Sequence, residues 1–182
     1  MKKHFSFLLD ACMAMAFLTG CKDKNQPTPA PEPDMKAVAA GVQMIAKFDP
    51  QTIEQCDISF DYYDENGAIK NEVVTTSEWT KTIETKALPA TLGFRWNLAV
   101  KADLDTTKYE HFLLSYSFEY FSVAINAAGA AVTPREGGTP DLTSGVAMRK
   151  RYFLVNTIME SNPVNFVHKY DAEGKLTTGK WE

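Results

Sequence analysis

The sequence predicts a mainly β protein, an antiparallel two-sheet β-sandwich with one late helix. Three observations carry that class. Apolar and polar residues alternate with period two through most of the chain after Val38, the mark of half-buried strands. Turn signals ending in glycine separate the apolar runs, as at Asp64-Glu65-Asn66-Gly67 and Asp171-Ala172-Glu173-Gly174. Helical spacing is confined to residues 145–161. Seven or eight short strands within one domain over residues 35–182 favour two packed sheets.

Val38, Ala40, Val42, Met44, Ala46 and Phe48 share one face of a first strand, and Asp49-Pro50 breaks it. Cys56, Ile58, Phe60 and Tyr62 then alternate with Asp57, Ser59 and Asp61. The turn after them uses aspartate to bond the backbone and glycine to take positive φ. Trp79 and Ile83 share a face in a threonine-rich segment that suits a strand. Leu88-Pro89 marks a second break, and Phe94, Trp96, Leu98 and Val100 form the cleanest strand.

Residues 112–125 are the longest apolar run. Phe112, Leu114, Tyr116, Phe118 and Tyr120 lie on one face, and Phe121, Val123 and Ile125 on the other. That change of face predicts a β-bulge near Phe121-Ser122; the alternative is a strand buried on both sides. Asn126-Ala127-Ala128-Gly129 is a third turn signal. Residues 133–145, rich in Pro, Gly and Thr, read as a long loop. Met148, Tyr152, Val155 and Met159 then recur at helical spacing, with Ser144 as a cap and Asn162-Pro163 as the stop. The competing reading is a strand centred on Tyr152 to Val155. Residues 164–170 and 175–181 close the chain as a hairpin.

Ahead of this domain, Met1-Lys2-Lys3, an apolar run to Phe17 and small residues before Cys21 make residues 1–20 a secretory signal peptide. The run carries Asp10 and is shorter than the roughly 20 apolar residues that span a bilayer. Leu18-Thr19-Gly20-Cys21 resembles the lipobox of bacterial lipoproteins. The resemblance implies cleavage before Cys21, a diacylglyceryl group on its thiol and a fatty acyl group such as palmitate on its new amino terminus. Residues 21–34 include Pro27, Pro29, Pro31 and Pro33 and read as an unfolded, extended tether. The thirteen residues after Cys21, 22–34, at about 3 Å each reach on the order of 40 Å.

Charge and cysteines narrow the function. The chain has 19 Lys+Arg and 23 Asp+Glu; the leader holds Lys2, Lys3 and Asp10, which leaves 17 against 22. An acidic domain lacks the field that phosphate backbones require, so nucleic acid is not an expected partner. With Cys12 in the leader and Cys21 lipidated, Cys56 stays a lone, core-facing thiol.

No nucleophile elbow, phosphate loop or dinucleotide glycine pattern occurs, so no catalytic residue and no cofactor are expected. His111 and His168 lack neighbours in a metal-ligand motif and read as strand or surface residues. Asp57, Asp61, Asp64 and Glu65 invite a calcium reading, but alternation makes them a solvated hairpin. Trp79 and Trp96 fall on apolar faces, whereas Trp181 lies at a chain end, where order is often lost. Arg149-Lys150-Arg151 is a short basic cluster on the proposed helix; it reads as a solvated face, with anionic lipid headgroups as the alternative.

Residues 80–86, the run Leu88-Pro89-Ala90-Thr91-Leu92-Gly93-Phe94, and the aromatic segment from Tyr116 to Phe121 resemble small secreted lipoproteins of the Bacteroidetes. That family has no established activity. The resemblance implies an immunoglobulin-like sandwich, lipid-anchored at the outer membrane on its periplasmic or surface face. Asp105-Thr106-Thr107 resembles the O-glycosylation acceptor of the same group, which implies a glycan on Thr106. The expected role is non-catalytic binding or assembly in the cell envelope, with a glycan or an envelope protein as partner. A carbohydrate-binding accessory of a glycan-uptake system is the alternative.

Overall fold

The alternating segments pair as strands throughout residues 36–181, the part of the chain that the structure, a computed structural model, describes. The leader, Cys21 and the tether lie outside the described residues. In chain order the elements are β1 (Ala37–Phe48), α1 (Pro50–Gln55), β2 (Cys56–Tyr63), β3 (Ile69–Val74), β4 (Glu78–Glu84), β5 (Ala90–Val100) and β6 (His111–Asn126). β7 (Arg135–Ala147), a 3-10 turn (Met148–Lys150), α2 (Arg151–Ser161), β8 (Asn165–Tyr170) and β9 (Leu176–Gly179) follow. A four-stranded sheet, in the order β4-β1-β6-β7, packs on a five-stranded sheet, in the order β3-β2-β5-β8-β9. Every pairing is antiparallel. The predicted two-sheet sandwich with a late helix is therefore what the chain forms.

Aromatic side chains from the two inner faces meet at the centre. The Phe118 ring of β6 lies 4.8 Å from Trp96 of β5 and 6.1 Å from Phe60 of β2. Trp79 of β4 stacks on Phe60 at 4.3 Å. Each such pair adds about 0.5–1.5 kcal/mol beyond the apolar area it buries. All three predicted glycine turns form, with Gly67, Gly129 and Gly174 at φ near +80°. Asp64, Asn126 and Asp171 each accept two backbone N–H groups in their own turn.

Several expectations need correction. The β1–β6 register shifts between Ala37 and Ala39, so Val38 is squeezed out and is 40% exposed rather than core-facing. No bulge occurs at Phe121-Ser122, where that register runs unbroken from Ala39 to Phe48. The β6–β7 ladder shifts instead where Tyr116 faces Leu142 and Phe118 faces Thr139, which leaves one extra residue on β7. Burial on both faces, the alternative reading, describes the second half of β6 better. Residues 133–145 are not a loop: most of them belong to β7, and Ser144 lies inside that strand rather than capping a helix. The helix begins at Arg151 and stops at Asn162, which takes a left-handed conformation. Tyr152 points to solvent, and Val155 is the buried residue of α2. Trp181 is 9% exposed and stacks on Tyr63 at 4.4 Å.

Asp49-Pro50 does more than break a strand. Asp49 accepts the Gln51 N–H at 2.8 Å, and Pro50 opens α1, where its missing N–H costs nothing. Beyond Phe48, the β6 edge has lost its β1 partner. Gln55 replaces it by accepting the Leu113 N–H at 2.8 Å and donating to the His111 carbonyl at 3.2 Å. Thr52 accepts the Ser115 N–H at 2.9 Å. No helix among the described residues is long and apolar enough to cross a membrane.

Candidate functional site

Strand parity sends Gly41, Gln43 and Ile45 of β1 and Phe121, Val123 and Ile125 of β6 to the outer face of the four-stranded sheet. The registers align these residues in rows. Glu84, Gly41 and Val123 form one row. Thr82, Gln43, Phe121 and Glu136 form the next, and Ile45 lies opposite Glu119 in the third. Such a face normally carries polar residues. Here it has an apolar floor and a polar rim.

Gly41 has no side chain, so the sheet is hollow at the first row. The result is a groove of about 450 Å³. Val123 is only 2% exposed although it faces outward. Gln43 is held in place by donating to Thr82 Oγ1 at 3.2 Å. Glu84, Glu119 and Glu136 stand exposed around the floor and make no salt bridge among the described residues. An apolar floor with a few oriented polar groups is the usual make-up of a binding pocket. The unpaired carboxylates favour an occupant with positive charge near its apolar part.

The outer face of the other sheet carries a polar array. Asp61 accepts from Arg95 at 2.9 Å, Asn97 at 3.0 Å and Asn71 at 2.7 Å. Burial pushes its carboxyl up, but the bonds from Asn71, Asn97 and Arg95 outweigh that, and the net shift is downward. The Arg95 guanidinium lies 5.2 Å from the Trp181 ring centre, and that ring covers Tyr63. At the opening between β3 and β4, Glu72 accepts from Lys81 at 2.7 Å and from Trp79 Nε1 at 2.9 Å. The Lys81 bond is the main cause that holds the Glu72 carboxyl below its ordinary value.

The residues singled out in the sequence are dispersed. Asp61 and Asp64 are taken up by the polar array and by their turn, Asp57 is exposed on β2, and Glu65 is exposed in the turn. No cluster of three or more His, Cys, Asp or Glu side chains able to hold a metal occurs among the described residues. His111 is exposed at the start of β6, whereas His168 is buried in β8. Cys56 is buried, and burial pushes its thiol up to about 12, so it stays protonated. Thr106 is exposed in the loop between β5 and β6, where Asp105 accepts the Thr107 N–H and hydroxyl at 3.0 and 2.6 Å.

Sequence reasoning missed the groove. Two signals pointed to it: the apolar residues at Phe121, Val123 and Ile125 on the second face of β6, and a glycine inside the β1 pattern. A glycine within a strand often marks a place where another molecule or backbone comes close.

Fold and groove together define the class: a two-sheet antiparallel β-sandwich with an apolar groove on one solvent-facing sheet. Compared with family models, curated proteins and solved structures, the chain matches none.

Proposed function

We propose that this chain is a lipid-anchored binding module of the cell envelope, acting in assembly or capture rather than catalysis. The lipobox resemblance at Cys21 supports the anchor, and the proline-rich segment supports a spacer between bilayer and domain. The groove between Glu84, Val123 and Glu136 carries the binding role. Its occupant is an apolar segment flanked by basic groups, presented by a partner in the same compartment.

Gly41 supplies the test. A Cβ added there lies 3.5 Å from Glu84 Cγ and 3.6 Å from Ile125 Cδ1, ordinary contact distances. Gly41→Leu therefore fills the hollow from the solvent side and spares the core. A neutral fluorescent probe, N-phenyl-1-naphthylamine, is expected to bind the parent saturably and to lose at least about tenfold in affinity with Gly41→Leu. Equal binding by a folded Gly41→Leu chain removes the groove reading. For the anchor, labelled palmitate is expected on the parent and absent from Cys21→Ser.

A second reading is the carbohydrate-binding accessory. The observation that favours it is the polar array of Asp61, Asn71, Arg95 and Asn97 beside Tyr63. On a glycan array, saturable binding that Asn97→Ala abolishes supports it over the groove. Modification of Thr106 predicts a mass shift on its peptide that Thr106→Ala removes.

A further inference from the structure

The start of α2 breaks the electrostatic rules of the rest of the molecule. Arg149, Lys150 and Arg151 follow one another in an acidic chain, and Arg149 and Lys150 are exposed. None of the three makes a salt bridge among the described residues. They stand at the positive end of a helix whose first turn has no acidic residue and whose N-cap, Lys150, makes no side-chain capping bond. Cations at this end oppose the helix dipole. Local choices that cost stability concentrate where a molecule binds.

The same turn carries the most exposed aromatic residues of the described chain, Phe153 at 73% and Tyr152 at 52%. Phe153 follows Arg149 and Lys150 across the junction of the 3-10 turn with α2, so the exposed cations and the exposed ring fall within the same five residues. The Arg151 guanidinium lies 4.5 Å from the Tyr152 ring centre. Arg149, Lys150, Tyr152 and Phe153 thus form one exposed patch at the start of α2, whose other side packs on β5 and β7, while Arg151 is half-buried, its Nη1 donating to the Met148 carbonyl at 2.9 Å.

We propose that this patch docks the domain on an anionic lipid bilayer. Arg149 and Lys150 meet headgroup phosphates, and the rings of Tyr152, braced by the Arg151 guanidinium, and Phe153 enter the boundary between headgroups and acyl chains. Aromatic rings settle at that depth because their bodies are apolar and the tyrosine hydroxyl stays wet. Charge complementarity selects the occupant. The remainder of the acidic chain is repelled by an anionic surface, so the patch alone makes contact and fixes one orientation. No groove residue belongs to α2, so the patch and the groove share no side chain. This inference does not depend on the groove reading, and it adds a second contact to any anchor at Cys21.

The test uses the chain from residue 21 onward with Cys21→Ser, which removes lipidation and keeps every residue of the core, all at or beyond Ala37. Its sedimentation is measured with vesicles of phosphatidylglycerol and phosphatidylethanolamine, and with phosphatidylcholine alone. Binding is expected to the anionic vesicles only and to weaken with added salt. The double variant Arg149→Glu, Lys150→Glu is expected to bind about tenfold more weakly or worse. Phe153→Ser is expected to weaken binding while leaving its salt dependence. All these side chains are exposed, and an unchanged melting curve for each variant verifies the fold. Equal binding by parent and charge-reversed chain overturns the proposal, as does failure of the parent to bind anionic vesicles. Capture of the parent by a polyglutamate peptide in place of vesicles would assign the patch to an acidic protein and overturn it equally.

Discussion

His168 sits in β8 with Phe166 at 4.9 Å and Tyr120 at 5.6 Å, and its Nδ1 has no hydrogen-bond partner among the described residues. Burial, with a smaller push from Arg135, lowers its pKa from 6.5 to about 4. The folded chain therefore keeps this imidazole neutral, while the unfolded chain takes up a proton near pH 6.5. Stability from this group is complete above that value and is lost as pH falls toward 4. A drop of this size corresponds to a loss on the order of 3 kcal/mol. Asp61 and Glu72 also weaken in acid, so the measurement is a difference. Melting curves at pH 7.5, 5.5 and 4 should fall more steeply for the parent than for His168→Gln. Cys56 gives a second prediction at this scale: Ellman's reagent should fail to label it in the folded protein and label it fully in denaturant. Its burial was legible because it opens a clean alternation. The place of Trp181 was not, because its partners Tyr63 and Arg95 are distant in sequence and only the sheet brings them to the chain end.

Among the elements, α1 and β7 were the hardest to read. α1 has six residues, too few for a periodic pattern, and its Asp-Pro start served equally well as a break. Its value lies in side chains that complete a strand. Gln55→Leu leaves the Leu113 N–H and the His111 carbonyl without that partner and should cost about 1–3 kcal/mol in urea unfolding. β7 hid behind turn-forming residues. It pairs with β6 on one side only, carries the extra residue of a bulge, and uses Gly137 and Gly138 to let β6 approach. A Cβ on Gly138 would stand 2.6 Å from the Phe118 carbonyl oxygen. Gly93 of β5 meets the same limit, since a Cβ there would run into the Phe166 carbonyl oxygen and lie 3.0 Å from Val167 Cα. Backbone cannot swing aside as a side chain can, so Gly93→Ala should lower stability by about 1–3 kcal/mol, read from the urea midpoint. β2, β5 and the late hairpin were legible because one polar and one apolar face write themselves directly into alternation.

At the scale of the molecule, Phe118 ties the sheets together. It contacts Phe48 and Tyr116 in and beside its own sheet and Phe60 and Trp96 across the interface. Phe118→Ala should cost about 3–5 kcal/mol. Circular dichroism and tryptophan fluorescence should still report one common transition, because neither sheet has a core without the other. The sandwich was legible as a class, since alternation and turn spacing are local. The groove was not, since Glu84, Gly41, Val123 and Glu136 come from four strands and only the register assembles them. β1 is both the first strand of the fold and the middle of the groove floor, with Gly41 four residues beyond Ala37. A pull applied at Gly41 toward Ala37 runs along a segment paired with β6, since the β4 ladder begins only at Gly41. The other face of β1 carries Ala40, Val42, Met44, Ala46 and Phe48 of the core, so the packed interior resists such a pull together with the ladders.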